Sequence, residues 1–114
     1  MSQKILEMKV IEDIKRGIST KRYNITSHAR REMSPKEDDI SEEELIEAIL
    51  DGETMEDYPN DKPFPSCLIF GRTERGRPIH AVCAYSKEDD IVIFITTYEP
   101  AINKWIDYRY RRRV

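Results

Sequence analysis

The apolar residues of this chain change their spacing once. Up to Gly52 they recur at the three- and four-residue intervals of amphipathic helices; from Glu53 onward they fall in short runs broken by Gly, Pro and charged turns, as strands do. Helices first and strands later predict an α+β domain, with N-terminal helices packed on an antiparallel β-meander of about four strands. At 114 residues the chain is sized for one core and one domain.

The helical half divides into three. Ile5, Leu6, Met8, Val10, Ile11 and Ile14 predict an amphipathic helix in residues 1–22, with Ser2 able to cap it and Gly17 able to end it. Lys21 to Ile25 is a short segment, after which Thr26 or Ser27 offers an N-cap for a helix carrying His28 to Met33 that stops near Pro35. The third helix has the clearest signature. Ser41 and Glu44 form a capping box, Ile40 and Leu45 a hydrophobic staple, and Gly52 the stop. Its acids Glu42, Glu43 and Glu44 fall in the first turn, where they complement the helix dipole and need no ligand. Strands are expected over 54–58, 66–73, 77–85 and 91–98, joined by hairpin connections at 74–76 and 86–90 and by a Pro-rich loop at 59–65.

Charged residues make up 36% of the chain, but with 6 Pro, 4 Gly and periodic apolar blocks the composition is that of a folding sequence. No apolar run approaches the ~20 residues that span a bilayer, and the start Met-Ser-Gln-Lys-Ile has no signal-like apolar stretch, so a soluble, cytoplasmic protein is expected. In that compartment Cys67 and Cys83, each within an apolar segment, read as reduced, buried hydrophobes. His28 and His80 have no second ligand at zinc-site spacing, so no metal and no cofactor is expected.

The net charge of −3 conceals segregation: residues 37–61 carry twelve acids and no Lys or Arg, which leaves the rest of the chain at +9. Lys104, Arg109, Arg111, Arg112 and Arg113 crowd into the C-terminal end, a basic tail over 106–114 that is either a frayed end or a surface for phosphates. Strand alternation puts His80 on one face of its strand with Val82 and Ala84, opposite Ile79, Ala81, Cys83 and Tyr85. A histidine among apolar residues is either a core residue or an acid/base group with a partner. The partners on offer are His28, Arg30, Arg31, Arg72, Arg75, Arg77, Tyr98 and Glu99, a set that covers the base, acid and cation roles of metal-free RNA cleavage. Gly-rich phosphate loops, a nucleophile elbow and an electropositive cysteine are absent from the sequence.

Several short motifs occur in a fixed order: Ile25-Thr26-Ser27-His28-Ala29-Arg30-Arg31-Glu32-Met33, Ile49-Leu50-Asp51-Gly52-Glu53, Asp57-Tyr58-Pro59, Pro65-Ser66-Cys67-Leu68, Gly71-Arg72-Thr73, Gly76-Arg77-Pro78-Ile79-His80 and Thr96-Thr97-Tyr98-Glu99-Pro100. In these the chain resembles the family of a domain of unknown function, DUF4258, over a core of residues 23–105. The resemblance implies a RelE-like, barnase-like α+β fold and the toxin half of a toxin–antitoxin pair, whose antitoxin is a zinc-finger or helix-turn-helix protein. It further implies His28, His80, Tyr98 and Glu99 as catalytic residues, and Arg31, Arg72 and Arg77 as the residues that bind substrate. The stretch Ser34-Pro35-Lys36-Glu37-Asp38-Asp39 departs from the shorter basic turn expected there. Two functions follow as expectations: a metal-independent endoribonuclease toxin cleaving mRNA, or a non-catalytic RNA- or protein-binding module. Either allows a homo-oligomer.

Overall fold

A computed structural model describes residues 3–112, with side chains from Val10 onward. Ser2, the side chains of Ile5, Leu6 and Met8, and Arg113 therefore lie outside the described residues. Three helices, α1 (Gln3–Ser19), α2 (Ser27–Met33) and α3 (Glu42–Leu50), accompany the strands β1 (Tyr23–Ile25), β2 (Glu53–Tyr58), β3 (Ser66–Arg72), β4 (Pro78–Ser86) and β5 (Ile91–Tyr98). The fold is α+β, as the change of period implies. Among the described residues no helix is long and apolar enough to cross a membrane.

The sheet has the order β1-β5-β4-β3-β2. The four strands expected from sequence make the antiparallel part. The expectation of a purely antiparallel meander is corrected by β1, which pairs parallel with β5 from Tyr23↔Val92 to Ile25↔Phe94 and makes the sheet mixed and five-stranded. Three residues are too few to show a two-residue period, and this strand exists because β5 offers it an edge.

Gly17 does not end α1. The helix runs on to Ser19 and closes with Arg22 N–H donating to the Gly17 carbonyl and Lys21 N–H to that of Ile18, with Lys21 left-handed at φ 61°. Gly17 is needed for approach instead, since a Cβ there would stand 2.6 Å from Val92 Cγ2. Thr26 caps α2, its hydroxyl accepting from Ala29 N–H, and the capping box of Ser41 and Glu44 forms on α3 as its sequence requires.

The helices cover one face of the sheet. Ile14, Ile18, Met33, Leu45, Ala48 and Ile49 pack there with Cys67, Ile69, Ile79, Ala81, Cys83, Val92 and Phe94. Cys67 and Cys83 are free, buried and directly opposed across β3 and β4. Burial pushes the Cys67 thiol up to about 12, so it stays protonated and inert.

The far face carries Leu68, Phe70, His80, Val82 and Tyr98, as the pairs Leu68↔Val82, Phe70↔His80 and His80↔Tyr98 require. It is closed by the segment read from sequence as a basic tail. That reading is corrected: β6 (Trp105–Ile106) and β7 (Tyr110–Arg111) form a two-stranded ribbon folded back over His80.

Candidate functional site

His80 is fully buried in β4, and both of its ring nitrogens are engaged. Nε2 lies 2.6 Å from the Tyr108 carbonyl, which can only accept, so Nε2 carries the proton and Nδ1 presents its lone pair. Tyr98 Oη, 3.2 Å from Nδ1, then donates its hydrogen to it. Edge-on rings of Phe70, Tyr98 and Trp105 surround the imidazole, with the Trp105 centroid at 4.4 Å. Burial lowers the His80 pKa, against the Tyr108 bond and the nearby Glu56 charge that raise it. Burial also pushes the Tyr98 phenol up to about 12, so it is a proton carrier and no phenolate at neutral pH.

A neutral buried imidazole is linked to stability. Its proton affinity is depressed in the folded state, so the unfolded chain takes up more protons below its ordinary pKa of 6.5. The contribution is intact above 6.5 and is lost progressively as pH falls below it. Urea unfolding at a series of pH values should show this slope in the wild type and its disappearance in His80→Gln; an unchanged slope would contradict the assignment.

Beside Tyr98 the surface opens into a cleft of about 610 Å³ lined by Tyr98, Asn103, Lys104, Trp105, Arg111 and Arg112. Arg111 grips Glu56 through Nε at 2.8 Å and Nη2 at 3.0 Å, with the Tyr58 hydroxyl closing on the same carboxylate, and its guanidinium lies 4.8 Å from the centre of the Trp105 ring. Arg112 Nε is held by the Ile102 and Trp105 carbonyls. Lys104, Arg112 and the Glu56-paired Arg111 beside the Tyr98 phenol give the open cleft a lining suited to an anion.

The residues singled out from sequence are distributed differently. Tyr98 lines the cleft with His80 behind it. His28 is not brought to them: it is exposed on α2, with Nε2 3.4 Å from Glu32 Oε1, and that carboxylate also accepts from Thr97 N–H at 2.9 Å. Arg31 is exposed on the same short helix. Arg72 stacks over Phe70 at 5.5 Å and Tyr108 at 5.3 Å, at the opposite end of the ribbon's footprint, in a smaller pocket shared with Arg109.

Arg77 has a structural explanation. Its guanidinium donates to Glu99 at 2.6 Å, to Glu44 at 3.1 Å, to the Asp39 carbonyl at 2.8 Å and to the Asp38 carbonyl, and so clamps the start of β4 to the loop before α3 and to the end of β5. Glu99, though exposed, is tied to that clamp, and its N–H donates to Asp38. The stretch 34–39 that departs from the family's expected turn is thus the part that holds Arg77. Arg77→Met should cost about 2 kcal/mol in urea unfolding, because charge-assisted bonds are lost and two carbonyls are left to water. A loss within a few tenths of a kcal/mol would show that the clamp contributes nothing.

The sequence alone gives Glu56, Tyr58 and Tyr108 no role at a site and presents Lys104, Arg111 and Arg112 as tail charges.

Among the described residues no group of three His, Cys, Asp or Glu could hold a metal ion. Residues 25–99 match the family described as Domain of unknown function (DUF4258), and the chain belongs to that family. No curated protein and no solved structure gives a significant match.

Proposed function

We propose, from this family membership and the cleft beside Tyr98, that the chain is a metal-independent endoribonuclease of RelE-like type, the toxin of a toxin–antitoxin pair acting on mRNA. The observation that carries this reading is the Tyr98–His80 pair, with Oη and Nδ1 3.2 Å apart, at the wall of a cleft carrying Lys104, Arg111 and Arg112. Lys104 and the two arginines neutralise the phosphate. The 2′-oxygen attacks phosphorus, its proton passes to Tyr98 Oη, and the Tyr98 proton passes to His80 Nδ1. The P–O5′ bond breaks and the 5′-oxygen takes a proton from the Lys104 ammonium. Tyr98 and Lys104 are the catalytic residues, and His80 is a positioning residue that accepts the Tyr98 proton. His28, Arg31 and Arg72 are left to hold RNA outside the cleft, and Arg77 and Glu99 to hold the fold. The antitoxin, a zinc-finger or helix-turn-helix protein, covers the same basic surface.

A second reading, a non-catalytic RNA-binding module, is favoured by the complete burial of His80 with both nitrogens engaged. Induced expression separates the two. Growth arrest with decay of total RNA in the wild type, and normal growth with Tyr98→Phe at equal abundance, supports the ribonuclease. Intact RNA in both strains, with salt-sensitive RNA binding by the purified protein, supports the binding module.

A further inference from the structure

The ribbon over His80 is short, and its turn is left-handed at two non-glycine residues. A lone two-stranded hairpin is marginally stable in water, and β6 and β7 contribute two residues each. Its turn puts Asp107 at φ 52° and Tyr108 at φ 59°. Left-handed backbone at both central residues is the hairpin geometry that favours Asn-Gly or Asp-Gly, so a bulky aromatic there is strained. The strained residue is the one whose carbonyl caps Nε2 of His80. The outer surface of the ribbon exposes Ile106 and Tyr110 instead of burying them.

Rings and charge together hold the ribbon down: Trp105 is buried against His80, Tyr108 and Arg109 lie over Phe70, and two ion pairs tie the ribbon to β2. Arg109 pairs with Glu53 at 2.7 Å and Arg111 with Glu56 at 2.8 Å, both partly open to solvent, where ion pairs are weak and salt-screened. Trp105 supplies the apolar anchor, edge-on to His80. Basic residues of the ribbon thus occupy two carboxylates of β2, an edge strand, and a phosphate chain offers the same guanidinium groups a competing partner of higher charge.

We propose that residues 105–112 are a polyanion-operated cover: RNA phosphates draw Arg109 and Arg111 from Glu53 and Glu56, and the ribbon lifts to bare the His80 imidazole. This rests on the RNA-directed reading above. A population shift needs only that the phosphates bind the lifted form better than the closed one, and two freed arginines supply that difference.

The test is nitrogen NMR of the histidine-labelled full chain, with exposed His28 as internal control. In the closed form His80 gives a neutral, Nε2-protonated signature. In the folded double variant Glu53→Gln with Glu56→Gln, the population with a freely titrating His80 should rise about tenfold, as the loss of two surface pairs permits. If that variant unfolds, Glu53→Gln alone carries the same comparison. A short 2′-O-methyl oligouridine, which lacks the attacking hydroxyl, should convert wild-type His80 to the same open signature at low salt. A closed His80 signal persisting in the folded variant, or under saturating oligonucleotide, overturns the proposal, as does failure of the oligonucleotide to bind. If His80 opens on binding but unmodified RNA remains uncut, the cover stands and the ribonuclease reading falls.

Discussion

Tyr98→Phe is expected to lower the rate of RNA cleavage by about a hundredfold or more, the range for removing a positioned proton-transfer group, while leaving RNA affinity nearly unchanged and costing about 1–3 kcal/mol of stability, because the buried His80 Nδ1 loses its donor. The phenyl ring keeps the packing against His80, and only the oxygen between the cleft and Nδ1 is deleted. Cations that would bind the phosphate are untouched. A loss in affinity with no loss in rate would instead make Tyr98 a docking residue. His80→Gln provides the complementary readout, because an amide can still donate to the Tyr108 carbonyl and accept from Tyr98 but does not take up a proton. Since burial lowers the His80 pKa, the acidic limb of the wild-type rate profile should fall below the ordinary value of 6.5, and that limb should vanish in the variant.

Gly71→Ala should be the most damaging small change to the fold, at about 3 kcal/mol by urea unfolding, in the upper range for overpacking. A Cβ at Gly71 would lie 1.7 Å from the Ala48 carbonyl oxygen and 3.1 Å from Gly52 Cα, so α3 and its C-terminal turn would have to move off β3. Backbone meets backbone here, and no rotamer relieves the clash. Ala48, Ile49 and Ile69, all buried in the same core, would shift with it. A variant with wild-type stability would mean that α3 is free to slide along the sheet.

What the sequence disclosed and what it concealed divide by range. The Ser41–Glu44 capping box, the Thr26 cap and the placing of His80 and Val82 on one face of β4 depend on residues within a few positions of one another, and their reading matches the structure. β1 is not legible in the sequence because three residues carry no readable period and its pairing partner lies some seventy positions along the chain. The ribbon reads as a tail in the sequence because its turn is Asp107-Tyr108 instead of a glycine turn, and because the acids that hold Arg109 and Arg111 lie far away on β2. Segregated charge was visible along the chain; that the two blocks pair with each other was not. Arg77 looked available for phosphate because two of its partners are the main-chain carbonyls of Asp38 and Asp39, which side-chain chemistry does not reveal. His28 and His80 invited pairing as the chain's two histidines, yet one is exposed on a helix and the other is sealed beneath a ribbon.

The most direct measurement is the chemistry of the RNA ends left by the purified full chain in the presence of chelator. Attack by the 2′-oxygen should leave a cyclic 2′,3′-phosphate on one fragment and a free 5′-hydroxyl on the other, at rates that collapse in Tyr98→Phe. RNA that remains intact while saturating the cleft, or cuts that persist undiminished in Tyr98→Phe, would contradict the assignment of this site to RNA cleavage.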